Sequence, residues 1–402
     1  MKTEIITQDI KKAAELIKEG KLVAVPTETV YGLAGNGLDE KAVNEIYEVK
    51  GRPAVKPLSL MVPDSSAFEK YCEDVPEAAG ILAGKYWPGP LTIVLKAKKC
   101  IPSIVLAGGH TVGLRCPNHT MTLSLLKKCG LPLAAPSANP SGSESPKTAE
   151  VVKAYFDGKI SGIIDGGPCG IGLESTIIDL SCAPYKILRH GALASDDIKK
   201  TLADELKIIG ITGGTGCGKT TALNVLTDMG ALILDCDKVY HELLESSEAL
   251  LFELDAAFPG SVQGGKVDTK ALGRIVFNDD EKLLELNRIT HRHILAETRR
   301  RLEDHAMNGG RIAALDAIEL ISSGLADECI TTLAVLADRE LRAERIMARD
   351  GVSREYALMR IDAQKPDSYF IENCEHVLYN NASAEEFRDK CTVLFKEVLN
   401  NG

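Results

Sequence analysis

The chain has 402 residues, 45% of them hydrophobic and 26% charged, with 47 basic against 57 acidic side chains. At about 150 residues per domain that length predicts two or three domains, and the apolar content excludes a disordered chain. No apolar run approaches the ~18 residues that span a bilayer, and the opening MKTEIITQDIKK lacks the apolar core of a secretory signal, so a cytoplasmic protein with no membrane partner is expected.

Charge is unevenly placed. Residues 1–206 carry 24 basic and 24 acidic side chains; residues 207–402 carry 23 and 33. That break reads as a seam between unlike domains. The 11 cysteines are odd in number and form no C-x-x-C pair, which points to reduced thiols rather than a disulfide frame or a zinc site.

In chain order, Ala13, Ala14, Leu16 and Ile17 recur at helical spacing and Gly20 ends the segment. Residues 22–25 read as a buried strand stopped by Pro26. Further strands are predicted over 91–95, 112–114, 133–135, 163–164 and 176–180, with Pro88, Pro90, Pro117, Pro136 and Pro140 in the loops. The stretch 140–146, PSGSESP, has the composition of a flexible or ligand-ordered loop. Ser195 is a good N-cap, Asp196 and Asp197 suit a first turn, and Ile198, Leu202 and Leu206 form one apolar edge. The expected division is a domain over 1–194, a helical linker over 195–206 and a domain over 207–402. The second domain alternates strand and helix, the pattern of a parallel α/β sheet.

Gly213-Gly214-Thr215-Gly216-Cys217-Gly218-Lys219-Thr220 fits G-x-x-x-x-G-K-[ST]. The glycines let backbone N–H groups curl round phosphate oxygens, Lys219 brings a mobile charge to the β- and γ-phosphates, and the Thr220 hydroxyl suits Mg²⁺. A strand over 208–212 and a helix from 221 supply the context that the motif needs. The next strand, 231–234, runs into Asp235-Cys236-Asp237. Carboxylates at the end of a parallel strand face the ligand crevice, where one of them can accept a proton from an acceptor hydroxyl, and the bland alternative is helix capping. Arg342, Arg345, Arg349, Arg354 and Arg360 crowd one stretch, where the bland alternative is a solvated helix face and the functional reading is charge stabilisation in phosphoryl transfer; Arg299-Arg300-Arg301, among Glu297, Glu303 and Asp304, reads as a solvated helix face.

GITGGTGCGKTT, the LDCD step and RIMARDG…RIDAQKP resemble the dephospho-coenzyme A kinase family over about 207–400. The resemblance implies ATP- and Mg²⁺-dependent phosphorylation of the ribose 3′-hydroxyl of dephospho-CoA, with Asp237 as catalytic base and Arg345 and Arg349 on a helical lid. The chain departs from that pattern at His291-Arg292, Glu319 and Ser322, where the acceptor would bind. The surplus acidity of this half is expected to lie away from the phosphate-binding cations.

The first half has no such loop. Its polar clusters lie between apolar strands: Pro26 to Gly32, Lys50-Gly51-Arg52-Pro53 with Lys56-Pro57-Leu58, Thr111 with Arg115, Pro136 to Asn139, Glu174-Ser175-Thr176 and Arg189-His190-Gly191. Arginine forks suit phosphate oxygens, and small hydroxyl and amide groups suit an amino acid or a base edge. The residues alone therefore point to a small anion-bearing ligand. Together and in order, PTETVYGL, Lys50-x-Arg52, YWPGPLT, APSAN and EST resemble the threonylcarbamoyl-AMP synthase (YrdC-like) family over about 5–193. That resemblance implies an open twisted α/β sheet round a concave site, which joins L-threonine, bicarbonate and ATP into threonylcarbamoyl-AMP for a separate tRNA-modifying transferase. By position, Thr29, Arg115 and Ser175 would hold threonine. Lys50, Arg52, Lys56, Thr111, Ser137, Asn139 and Arg189 would hold ATP, with Arg52 also catalytic. Met61 stands where some longer relatives have His.

The expectation is thus a bifunctional enzyme with two independent ATP sites. The alternative is an RNA-binding or regulatory module fused to a kinase of another hydroxyl acceptor. Neutral charge and the lack of an aromatic–basic array weigh against direct tRNA binding.

Overall fold

A computed structural model describes residues 2–53, 55–277 and 279–401, with the side chain of residue 401 excepted. It divides into two compact units, Met1–Asp204 with Met307–Gly309, and Glu205–Ala306 with Gly310–Gly402. Both are α/β. Among the described residues no helix is long and apolar enough to cross a membrane, and all 11 cysteines are free thiols.

The first unit is built on a mixed sheet of 11 strands. Its order runs Glu4–Ile6, Gly162–Ile164, Val23–Val25, Gly32–Asn36, Leu133–Ala134, Ser59–Met61, Thr111–Arg115, Leu91–Ala97, Thr176–Asp179 and Lys186–Arg189, with Cys72–Glu73 beside Leu91–Ala97. Helix Ile10–Lys18 is capped by Asp9, whose carboxylate accepts from Lys12 N–H, and it buries Ile10, Ala13, Ala14 and Ile17. That face joins Val23, Val25, Leu125 and Ile164 in one core. Each fully buried aliphatic side chain there contributes roughly 1.5–3 kcal/mol.

Three strands that carry the site lie outside the predicted segments, Gly32–Asn36, Ser59–Met61 and Lys186–Arg189, the last of which brings Leu188 and Arg189. Gly32–Asn36, GLAGN, has the composition of a turn, but every residue up to Gly35 is buried. A Cβ on Gly35 would stand 2.9 Å from Leu22 Cδ2, so glycine here serves close packing rather than a bend. Ser59–Met61 is short and is recruited by parallel pairing with Thr111–Arg115.

The 140–146 loop is ordered by the protein itself. Ser141 N–H donates to Lys50 O (2.8 Å), Asn139 Nδ2 to Ser143 O (2.6 Å), and Tyr31 N–H to Pro146 O (2.9 Å). Helix Ser195–Asp204 takes Ser195 into its first turn, where the hydroxyl meets His190 Nδ1 at 2.7 Å. It buries Ile198, Leu202 and Ala203 and docks on helix Glu77–Tyr86, with Tyr86 Oη 2.7 Å from Thr201 Oγ1.

The second unit has a five-stranded parallel sheet ordered Leu232–Asp235, Ile312–Asp316, Lys207–Thr212, Thr331–Leu336, His376–Tyr379. Helices Lys219–Asp228 and Ala384–Asn401 cover it through Leu223, Leu226, Phe387 and Phe395. Helices Arg339–Asp350 and Arg354–Asp362 pack together through Ala343, Ile346, Ala357 and Ile361. On helix Asp280–Met307 the arginine run is ion-paired, Arg299 with Glu328, Arg300 with Glu297 and Asp304, and Arg301 with Glu242.

Candidate active sites

The first unit holds a cavity of about 350 Å³ at the middle of its sheet. Arg52, Thr111, Arg115, Ser137, Ser175 and Arg189 line it, together with Thr92, Glu174, Met61 and Leu188. Strand Thr111–Arg115 delivers Thr111 and Arg115 from its two ends, and Met61 lies in register beside Arg115. Arg52 Nη2 donates to Pro57 O (3.0 Å) and Nε to Lys56 O (3.4 Å), so backbone carbonyls aim the fork, and no carboxylate among the described residues pairs with it. Arg189 Nε donates to Ser175 O (2.9 Å), Nη2 to Ser175 Oγ (3.0 Å) and Nη1 to Glu174. Burial, with Arg115 and Arg52 nearby, weakens its hold on its proton, and Glu174 opposes that.

Other members of the expected set stand behind the wall. Lys50, brought by the last turn of helix Glu40–Lys50, is buried, and its ammonium donates to the carbonyls of Ser137 and Asn139. Burial first, then Arg52, pulls it down to about 8. Asn139 is buried and ties its own loop. Thr29 is buried and accepts from Arg115 Nη2 at 2.8 Å. Lys56 is exposed, away from the lining. Glu174 and Thr92 went unassigned at the sequence level. Both lie inside motifs already noted, Glu174 in EST and Thr92 at the end of YWPGPLT, and could have been found there; Thr92 bonds Ser175 Oγ at 2.8 Å.

In the second unit Gly213–Thr220 leaves the end of strand Lys207–Thr212 and enters helix Lys219–Asp228. Gly213, Gly216 and Gly218 have φ of 136°, 81° and 97°. This is a loop that turns its amides inward toward an anion at a helix N-terminus. Lys219 Nζ donates to Gly213 O (3.2 Å) and lies 3.3 Å from Asp316 Oδ1. Arg342 is buried against the loop, with Nε donating to Thr215 O (3.0 Å) and Nη2 to Gln364 Oε1 (2.9 Å). Arg345 Nη1 donates to Gly216 O at 3.4 Å, whereas Arg349 points to solvent in a pair with Asp350 (2.7 Å).

Asp235 caps helix Cys236–Ser246 by accepting from Lys238 N–H (2.9 Å), which leaves Asp237 for the crevice. Asp237 lines a cavity of about 180 Å³ with Tyr240, Asn287, His291, Ala317 and Glu319. It reaches solvent, yet crowding by protein and the neighbouring Asp235 push its carboxyl above the ordinary range. Asp316 also sits high, chiefly through burial. Ser322 donates to Glu319, so two of the divergent positions pair with each other. Asp316 stands 3.3 Å from Lys219 and Asp237 lies within reach of its charge, so part of this half's acidity sits beside the P-loop lysine, against the expectation that it lies away from the phosphate-binding cations. Parallel register sets Asp316 beside Asp235.

The donors available to a divalent cation are hard oxygens, the Thr220 hydroxyl and the Asp316 carboxylate. Asp316 Oδ1 is buried without a hydrogen-bond partner among the described residues, 3.3 Å from Lys219 Nζ. No group of three or more His, Cys, Asp or Glu side chains is assembled as a metal centre among the described residues. Nucleotide-bound Mg²⁺ is commonly held by one or two protein oxygens together with substrate phosphates.

These features define two anion-binding α/β domains, the second of P-loop type. A family model for Sua5, YciO and YrdC proteins, described as telomere recombination, matches residues 15–191, and the dephospho-CoA kinase model matches 207–386. A threonylcarbamoyl-AMP synthase of Pyrococcus abyssi is 48% identical over 195 residues, 48% of this chain and 57% of that one. A shorter relative from Methanocaldococcus jannaschii is 37% identical over 194 residues, 47% of this chain and 91% of that one. A dephospho-CoA kinase of Corynebacterium glutamicum is 33% identical over 192 residues, 47% of this chain and 98% of that one. The chain thus belongs to the threonylcarbamoyl-AMP synthase family through its first half and to the dephospho-CoA kinase family through its second. It spans little more than half the length of the longer synthases that it matches. These relatives do not favour an RNA-binding module for the first half.

Proposed function

We propose that the chain is a bifunctional enzyme with two separate ATP-using sites. The observation that carries this reading is that each half builds its own site on its own sheet, an arginine-lined cavity in the first and a P-loop with Lys219 beside the Asp237 cavity in the second, and aligns with nearly the whole of a relative from a different enzyme family.

In the first unit the substrates are L-threonine, bicarbonate and ATP. The amine of threonine and bicarbonate give a carbamate with loss of water. A carbamate oxygen then attacks the α-phosphorus of ATP, and pyrophosphate leaves as threonylcarbamoyl-AMP forms. Arg52 and Arg189 stabilise the charge that develops on the phosphates, and Arg115 with Ser175 holds the amino acid. Lys50 and Asn139 act through the wall, by holding the Ser137–Asn139 backbone in place. The product is a mixed anhydride, which a separate transferase passes to a tRNA adenosine. Cytoplasmic residence is part of this reading.

In the second unit the acceptor is the ribose 3′-hydroxyl of dephospho-CoA. Asp237 takes its proton, the oxygen attacks the γ-phosphorus of ATP bound by the P-loop, and ADP leaves. A carboxylate with a raised pKa is a stronger base than an ordinary one. Lys219, Arg342 and Arg345 position the triphosphate. Thr220 and Asp316 would hold Mg²⁺, which when bound neutralises phosphate charge.

The test is a paired assay on the full chain. Pyrophosphate release should require both threonine and bicarbonate, and ADP release should require dephospho-CoA. Arg52→Ala should abolish only the first, and Lys219→Ala only the second. A single variant that loses both activities would refute independent sites.

A further inference from the structure

We propose that Glu28 is a positioning residue for the amino-acid substrate, acting through Arg115; this rests on the synthase reading of the first unit. Arg115 lies on the cavity wall and Glu28 does not. Their side chains are only 9% and 12% exposed, and Arg115 Nη2 meets Glu28 Oε1 at 2.8 Å. The other Glu28 oxygen accepts from Asn118 N–H at 2.9 Å, so the carboxylate is pinned from both sides. Arg115 Nη2 also donates to Thr29 Oγ1 (2.8 Å), and Nε donates to Gly89 O (3.3 Å). Three acceptors therefore fix the plane of the guanidinium before any ligand arrives. An exposed ion pair would not do this, because solvent screens it and its side chains keep their rotamers; a buried, hydrogen-bonded one does.

The pair has a second consequence. Three arginines share the cavity, yet they differ in compensation. Arg115 is neutralised by a buried carboxylate. Arg189 is paired with Glu174 at a site where both side chains remain more than a third exposed. Among the described residues, Arg52 is bonded to backbone carbonyls. A polyanionic triphosphate is drawn to Arg52. The Arg115–Glu28 pair, close to neutral overall, offers directional N–H groups suited to a carboxylate of single charge. Glu28 thereby helps to sort an amino-acid carboxylate from a phosphate within one cavity.

The experiment measures pyrophosphate release by the full chain, varying threonine at saturating ATP and bicarbonate, and then ATP at saturating threonine. Glu28→Gln keeps the shape and removes the charge. It should raise KM for threonine about tenfold and leave KM for ATP within about twofold, since a hydrogen bond to a charged group is at stake. Glu28→Ala should raise the threonine KM further. A role confined to stability would lower the melting temperature without separating the two KM values. Unchanged threonine KM in both variants, or equal rises for threonine and ATP, overturns the proposal. If the wild-type chain releases no threonine-dependent pyrophosphate, the synthase reading fails on its own. Calorimetric titration of wild type and Glu28→Gln with L-threonine then still decides: weaker binding by the variant supports the proposal, and equal affinity or no binding by either refutes it.

Discussion

Replacing Gly213 by alanine tests whether the P-loop is held by its backbone. Gly213 has φ 136°, and a Cβ there would stand 2.2 Å from Val335 O on the neighbouring parallel strand. An alanine forced to positive φ costs about 1–2 kcal/mol. A carbon–oxygen contact needs about 3.3 Å, so loop and strand must part by about 1 Å, at a further ~1–3 kcal/mol. At roughly 2–4 °C per kcal/mol for a domain of this size, the total lowers the melting temperature by about 10 °C. A 1 Å displacement of the phosphate cradle should also cut ADP release about 100-fold. Gly230→Ala is the control: its φ is 86°, but nothing lies within 4 Å of the added Cβ, so it carries the backbone cost alone. Calorimetry of the full chain is read beside dephospho-CoA-dependent ADP release, with threonine-dependent pyrophosphate release as internal reference. A Gly213→Ala chain that melts with Gly230→Ala and keeps its ADP release would refute the reasoning.

In the proposed reaction Asp237 must be deprotonated to accept the hydroxyl proton, so kcat/KM for ADP release should rise with pH through its raised pKa. Asp235→Asn removes one cause of that rise and should move the acid limb to lower pH, and a limb that stays in place would exclude the Asp235–Asp237 coupling. Lys50, drawn down to about 8 in the fold from 10.5, binds its proton more weakly there than in the unfolded chain. Denaturant stability should therefore increase as pH rises from about 8 to 10.5. Lys50→Met should abolish that increase. It also leaves the Ser137 and Asn139 carbonyls without their donor, which costs about 1–3 kcal/mol; a variant as stable as wild type at both pH values would contradict the burial reading.

The parts legible in the sequence are those whose chemistry is written in consecutive residues. Gly213–Thr220 is an eight-residue stretch in which each residue meets its neighbours in the chain, and the flanking strand and helix follow from local apolar pattern. Helix Ile10–Lys18 is legible for the same reason, since its cap and its buried stripe repeat along one segment. Strand Gly32–Asn36 is not, because its residue types describe a turn and only the sheet around it makes it a strand. Lys50 and Arg52 look alike as cations in sequence; burial turns Lys50 to backbone carbonyls and leaves Arg52 on the cavity wall.

Local covalent order determined which segments curl round phosphate, which become strands and where the two halves divide in charge. Tertiary structure alone decided which charges meet. Asp316 faces Lys219 because parallel register carries it beside Asp235. Glu28 grips Arg115 across 87 residues because the end of an interior strand and a bend arrive at one point. The reason is range: backbone propensity acts over a few residues, whereas the field at a site is summed over every charge that folding brings within a few ångströms.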